Sequence, residues 1–276
     1  MSINFLRNNF YFLLGLLLTS PTAFSQEAFY MANEAVMVTD GETKVLFDPL
    51  YPETYGQYLL VPDAMREALF AGEAPFNNVD AIFISHFHGD HFSPEDVLAL
   101  LVAQANIVLY APQQAVLAMR SLANPEQELV FDRVNSVSLA YKDAPVTLTM
   151  DKLLVEAVRI PHSGWPTDRL NVENIVWRVT LNDSTTVVHM GDADSNDEHF
   201  ALDPEYWDRV TPNIAFPPYW FFGSQVGRDI LENRVGAKRN VGIHVPRTIP
   251  GDPMRRPRPL RGADLFITPG ETRRIN

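Results

Sequence analysis

The feature that ties this sequence most tightly to a small set of folds is a stretch of six residues. It reads His86-Phe87-His88-Gly89-Asp90-His91 and follows, after Ser85, on the apolar run Ala81-Ile82-Phe83-Ile84. A continuous apolar run of four residues is the mark of a strand buried on both faces. Two residues after the stretch, Ser93-Pro94-Glu95-Asp96 forms a helix start, with an N-cap serine, a first-turn proline and acids at the positive end of the helix dipole. Strand, donor-rich loop and helix therefore succeed one another without a gap. Three imidazoles and a carboxylate in six residues are not explained by packing. A strand end followed by a tight loop sends alternate side chains to one side, so His86 and His88 can converge on one cation while Asp90 and His91 face a neighbouring one. Gly89 is expected to let the backbone turn between the two pairs. The 276 residues include no cysteine, which removes thiolate ligands, disulfides and cysteine nucleophiles together and leaves seven histidines and the carboxylates as donors.

Such a cluster needs further donors from other parts of the chain, and three candidates sit where an apolar run stops. His162 follows Val155 to Pro161, Asp192 follows Val187 to Gly191, and His244 follows Asn240 to Ile243. Each is expected in a loop at a strand end, where side chains from several strands meet over one rim. Strands are predicted over 28–32, 35–38, 44–47, 107–110, 137–141, 146–150, 153–160, 175–180 and 186–189, with helices over 62–70, 94–104 and 112–122. Strand-rich segments on either side of a helical one predict two mixed sheets packed face to face with helices outside.

Residues 1–25 carry one charge, Arg7, then an apolar run through Leu18 and the small residues Ala23 and Ser25. This is the pattern of a signal peptide, which places the exported domain at 26–276, in the periplasm or secreted, with no stable membrane span after cleavage. A formal net charge of -12 argues against a nucleic-acid partner. The sign is uneven: from Arg228 onward there are 11 Lys+Arg against 5 Asp+Glu, so the last fifth is basic and the rest strongly acidic. Arg255, Arg256, Arg258 and Arg261 in that segment are candidates for binding a phosphate, or a solvated edge. Phe216 to Phe222 packs aromatic rings beside two prolines and reads either as a wall over the site or as a loop plugged into the core; Ser163-Gly164-Trp165 allows the same two readings. His189 is a core histidine or a hydrogen-bonding partner of a ligand, Asp194 a turn cap or another such partner, and His199, in a polar run, is expected at the surface.

The His-x-His-x-Asp-His motif, the downstream His162, the Gly-Asp at 191 and 192 and the late His244 together resemble the metallo-β-lactamase-fold hydrolases, over essentially the whole chain after residue 25. Asp48-Pro49 and His244-Val245-Pro246 are more similar to the branch of lactonases and N-acyl-phosphatidylethanolamine phospholipases. The resemblance implies an α/β (α+β) fold, a four-layered αββα sandwich of two mixed β-sheets with outer helices. It also implies a ligand set: His86, His88 and His162 for a first metal, Asp90, His91 and His244 for a second, and Asp192 as the bridge. Two divalent cations are expected, zinc first, with manganese or iron(II) also suited to such donors. The implied activity is that of an exported dinuclear hydrolase using a metal-bridging hydroxide on a phosphodiester, phosphoester or lactone. Its substrate would be a small molecule or lipid-like, with an anionic one suited to the basic segment. Asp90 and Asp192 are the catalytic candidates, Asp90 as a proton-handling group. A true β-lactamase is not implied, because antibiotic-hydrolysing members generally lack the aspartate at the place of Asp192. Two other readings stand beside this one: a mononuclear-iron enzyme resembling sulfur dioxygenases, and a non-catalytic metal-binding periplasmic protein.

Overall fold

The structure is a computed structural model and describes residues 26–275; the expected signal segment, residues 1–25, lies outside the described residues. The chain opens with three antiparallel strands, β1 (Glu27–Ala32), β2 (Ala35–Thr39) and β3 (Lys44–Phe47). The Asp40-Gly41 turn between the last two puts Gly41 at φ 96°, as a tight turn of this kind requires. β4 (Ala81–Phe83), β5 (Val108–Pro112) and β6 (Val134–Val137) then add in parallel, and β12 (Thr272–Arg274) pairs with β1 at the far edge. The result is a seven-stranded mixed sheet in the order β12-β1-β2-β3-β4-β5-β6. A second, five-stranded sheet has the order β11-β10-β9-β8-β7. It is built from β7 (Val146–Met150), β8 (Leu153–Arg159), β9 (Ile175–Leu181), β10 (Thr185–His189) and β11 (Ile214–Phe216). Only β10 and β11 run parallel there.

The period-two alternation of each strand sorts its side chains between layers. Leu46, Ile82, Ile84 and Leu109 face an outer layer formed by α1 (Asp63–Ala71), α2 (Pro94–Ala103) and α3 (Gln113–Leu122). Val45, Phe47, Phe83 and Tyr110 face inward and meet Val155, Trp177, Val179 and Val187 of the second sheet. On the other face of that sheet, Val158, Val176, Val188 and Ala215 pack under α4 (Asp197–Phe200), α5 (Pro204–Asp208), α6 (Trp220–Gly223) and α7 (Gln225–Ile230). Helices, sheet, sheet and helices are thus stacked as the sequence led us to expect.

Two expectations need correction. The strand placed at 137–141 is paired three residues earlier, over Val134–Val137. Val137 and Leu139 do alternate into the inter-sheet core, but among the described residues the pairing with β5 ends at Pro112 and Val137, so the pattern is that of a strand and the ladder is missing. His199 is buried, at 2% exposure, rather than at the surface. Its ring lies under Trp165 and accepts or donates a 2.9 Å hydrogen bond with the Tyr141 hydroxyl.

The sheets are stitched together just below the future site. The buried Trp177 indole donates to the Ile84 carbonyl at 2.9 Å, and the Ile175 amide donates to the Ser85 carbonyl at 2.9 Å. The end of β4 is thereby held against β9, which fixes where the loop beginning at His86 emerges.

Candidate metal centre

Side chains from four strand ends converge on one rim of the sandwich. The β4 loop brings His86, His88, Asp90 and His91, and the cap that closes it is the one the sequence announces: Ser93 Oγ accepts from the Asp96 amide at 3.2 Å. Gly89 lies in that turn without a positive φ, and a Cβ there would lie 3.0 Å from Glu53 Cγ, because the chain after β3 crosses close over the loop. His162 follows β8, and its neighbour Ser163 donates its amide to the Asp192 carbonyl at 2.7 Å. Asp192 follows β10 through Gly191, at φ 52°. His244 follows a bridge between Ile243 and Pro218 and is itself left-handed, at φ 55°, held by its amide on the Asn33 carbonyl at 3.0 Å.

All seven donors named from the sequence lie together. His86, His88 and His162 offer nitrogens within 4.8 Å of one another, and so do the donor atoms of Asp90, His91 and His244. Asp192 stands between the two sets and turns one oxygen to each: Oδ2 is 3.1 Å from His162 Nε2, while Oδ1 is 3.0 Å from His244 Nε2 and 3.5 Å from His91 Nε2. His86 Nε2 and His88 Nδ1 face each other at 3.1 Å, and His91 Nε2 and His244 Nε2 at 3.3 Å. His162 Nε2 and Asp192 Oδ1 are buried with no aligned hydrogen-bond partner. Inward-facing ring nitrogens and unpartnered buried atoms are what a donor set looks like when lone pairs point at a shared centre, so these residues fit divalent cations.

The electrostatics agree. Burial lowers His86 well below the ordinary imidazole value and brings His88 down to about 4, so both rings are neutral donors near pH 7. Burial alone would raise Asp192, but His244 and His91, with His162 Nε2 3.1 Å away, override it and hold the carboxyl well below its usual range. Burial would likewise lower His91, and there the Asp192, Asp48 and Asp90 carboxylates outweigh it and raise the ring well above its usual value. Asp48, Asp90 and Asp192 thus bring three carboxylates into one buried space, where cations would offset their charge.

Sequence reasoning left four nearby residues without a role in the centre, and three of them, Asp48, Ser85 and Asn174, hold it in shape. Asp48, at the end of β3 with φ 41°, accepts from the Ser85 amide at 2.7 Å and from the Ser85 hydroxyl at 2.5 Å, and lies 3.0 Å from His91 Nδ1. Ser85 Oγ in turn lies 3.0 Å from His86 Nδ1. Asn174 staples three strand ends, donating to the Ile160 and Met190 carbonyls and accepting from the Asp192 amide. Glu34 is fully buried, and burial, reinforced by Asp192, Asp48 and Asp90, raises its carboxyl far above the usual range despite the opposing pull of His91. Its signal was present in the sequence as a lone acid inside the apolar hairpin Ala28–Val38, but Asn33-Glu34 reads as an ordinary polar turn.

A cavity of about 320 Å3 opens over the centre, walled by Tyr55, Tyr58 and Trp220 and by the donors themselves. The Tyr58 ring meets the His244 ring edge-on at 4.1 Å between centroids. The two readings of the aromatic run 216–222 both hold, in different residues: Phe216 and Phe221 are core, whereas Trp220 lines the cavity and donates its indole N–H to the Ala193 carbonyl at 3.1 Å. Ser163 also lines it, while Trp165 packs on Tyr141. The C-terminal arginines are elsewhere. Arg256 is buried and donates to the carbonyls of Pro250, Gly251 and Ala263, and Arg255, Arg258 and Arg261 are exposed. The basic residue that does line the cavity is Arg169. His189 lies behind the centre, stacked on Phe47 with ring centroids 4.9 Å apart, and Asp194 accepts from the Gly164 amide at 3.3 Å, steadying the loop after His162.

The sequence profile of the beta-lactamase superfamily domain matches residues 43–207, more than half of the chain. No curated protein matches the sequence. Solved structures share its fold. Igni18, a metallo hydrolase from the hyperthermophilic archaeon Ignicoccus hospitalis, is 14% identical over 91% of this chain and 99% of its own, with a TM-score of 0.55. An isothiocyanate hydrolase from Delia radicum gut bacteria is 16% identical over 90% of this chain and 98% of its own, at 0.56. A diphosphatase of the PhnP family is 14% identical over 90% of this chain and 96% of its own, at 0.53. At these identities the likeness is one of fold.

Proposed function

This chain belongs to the beta-lactamase superfamily, and on that premise we propose that it is an exported metal-dependent hydrolase that holds two divalent cations, zinc first, and acts on a phosphodiester, phosphoester or lactone. The observation that carries this reading is the division of donors: two triads of side chains, with Asp192 presenting one carboxylate oxygen to each. Two such cations, when bound, would lower the pKa of a bound water and polarise the oxygen of a scissile group. His86, His88 and His162 would hold the first and Asp90, His91 and His244 the second. Asp48 and Ser85 orient the His91 and His86 rings through their outer nitrogens, which keeps the inner nitrogens aimed at the centre. Tyr58 and Trp220 give the substrate an apolar wall and exclude water from one side of the cavity. Arg169 stands at the same cavity, where a guanidinium can take an anionic group of the substrate. Export is supported by the composition of residues 1–25, and among the described residues no helix is long and apolar enough to cross a membrane.

A fold alone does not select the bond that is cleaved: one structural neighbour is named for isothiocyanate hydrolysis and another for a diphosphatase. The test is therefore a panel of phosphodiesters, phosphomonoesters, lactones, thioesters and β-lactams, assayed on protein of measured metal content. Turnover of a phosphoester or lactone with two cations per chain, abolished in His88→Ala, supports the proposal, and Arg169→Ala should raise KM several-fold for anionic substrates only. Two bound cations with no turnover anywhere on the panel sinks the catalytic reading. A single iron per chain with oxygen uptake sinks the dinuclear one.

A further inference from the structure

Among the buried histidines aimed at the centre, His86, His91, His162 and His244, the outer ring nitrogens follow a rule with one exception. His86 Nδ1 lies 3.0 Å from the Ser85 hydroxyl, His91 Nδ1 3.0 Å from the Asp48 carboxylate, and His162 Nδ1 2.9 Å from the Ser163 carbonyl. His244 turns Nε2 toward Asp192, Asp90 and His91, yet its Nδ1 is buried without a partner. A metal-binding histidine ordinarily donates its other ring N–H to a carboxylate or carbonyl, which fixes both tautomer and orientation.

The unmatched acceptor is close by. Glu34 is 0% exposed, and neither carboxylate oxygen has a hydrogen-bond partner. One of those oxygens lies within 4.8 Å of both a ring nitrogen of His244 and a carboxylate oxygen of Asp192. The two segments are already tied, since the His244 amide donates to the carbonyl of Asn33, the residue before Glu34. On its other side Glu34 is backed by His189, whose Nε2 donates to the Glu34 backbone carbonyl at 3.0 Å and lies 3.2 Å from Oε2. A buried carboxyl with no partner thus lies beside the ring of His244, whose Nδ1 is itself buried without one.

We propose that Glu34 is the positioning residue of His244: in the metal-loaded protein its carboxylate accepts the Nδ1–H of His244, with His189 holding it from behind, so that Nε2 is presented to the second cation. The inference rests on the two-cation reading above. It makes the β1–β2 turn, which contributes no ligand, part of what sets affinity at one position and leaves the other alone.

Stepwise titration of the chelator-stripped protein with Co2+, followed by the visible absorption of the bound ion and by competition with a chromophoric chelator, tests it. The proteins compared are wild type, Glu34→Gln, which keeps one acceptor oxygen in the same shape, and Glu34→Leu. The expected result is two binding steps in wild type. One step is unchanged in both variants, and the other is weakened about 10- to 100-fold in Glu34→Leu and less in Glu34→Gln. Two steps of wild-type affinity in both variants overturn the inference alone, as does equal weakening of both steps, which would mark Glu34 as a general structural residue. A single step in wild type overturns the two-cation reading and this inference with it. Where Glu34→Leu does not fold, the isosteric Glu34→Gln still separates these outcomes.

Discussion

Gly191 has no room for a methyl group. A Cβ there would lie 2.5 Å from both Asn174 Oδ1 and Ser85 Cβ, and its φ of 52° disfavours any L side chain. Both neighbours work for the centre, Asn174 by holding the Asp192 amide and Ser85 by bonding the His86 ring and Asp48. Gly191→Ala should therefore cost about 2 kcal/mol or more from overpacking and backbone strain together, and it should also lower the number of cations held, because Asp192 is displaced. Thermal unfolding read beside metal content checks both halves; a variant that is destabilised but still binds its full complement would show that Asp192 is not placed through this turn. At this scale the sequence was most legible where chemistry was dense. His86, His88, Asp90 and His91 could be read from six consecutive residues, and His162, Asp192 and His244 from their places after apolar runs. Glu34, Asp48 and Asn174 could not, since each is a single polar residue whose meaning depends on which strand end it meets.

Strands and helices were legible in proportion to their length and periodicity. The helices at 63–71, 94–103 and 113–122 stand where amphipathic spacing and capping put them. The three-residue strands β11 and β12 and the short helices between Asp197 and Ile230 carry too few residues to show a period, and they are fixed by what they pack against. One contact of this outer layer is invisible in any local pattern. Arg178 of β9, 1% exposed, donates to Glu156 of β8 through Nε at 2.6 Å and Nη2 at 3.0 Å. Its third donor reaches the Tyr206 carbonyl at 2.7 Å, with the guanidinium 3.9 Å from the centre of the Tyr206 ring. The pair pins α5 to the sheet. Glu156→Ala leaves the guanidinium buried and uncompensated, at an expected cost of about 3–5 kcal/mol in urea unfolding; Glu156→Met combined with Arg178→Met should cost much less. A loss below about 1 kcal/mol for the single variant would mean that Arg209, which also pairs with Glu156, or water takes over the charge.

For the molecule as a whole, seven donors drawn from positions 86 to 244 would make any cations they bind part of the tertiary structure. Occupancy at about 100 times Kd stabilises by about 2.7 kcal/mol per site, and in a chain of this size each kcal/mol moves Tm by about 2–4 °C. Stripping the protein with a chelator should lower Tm by roughly 5–10 °C per site vacated, and adding back zinc should restore it; an unmoved Tm would contradict cation binding by these residues. The layered architecture could be anticipated from the order of apolar runs, whereas the closing of its first sheet could not. β12 pairs with β1, and the Ile275 amide donates to the Gln26 carbonyl at 2.9 Å, so the last described strand is the neighbour of the first. That adjacency sets a schedule. A chain emerging residue by residue has β1 to β6 in hand early, but the outer edge of β1 stays open until residues 272–274 arrive, and the loop at 86–91 waits for His244 in the same late stretch. Contacts so distant along the chain form slowly. A nascent chain halted before residue 244 would expose an unpaired edge and an incomplete set of ligands together, and could be recognised as unfinished by either.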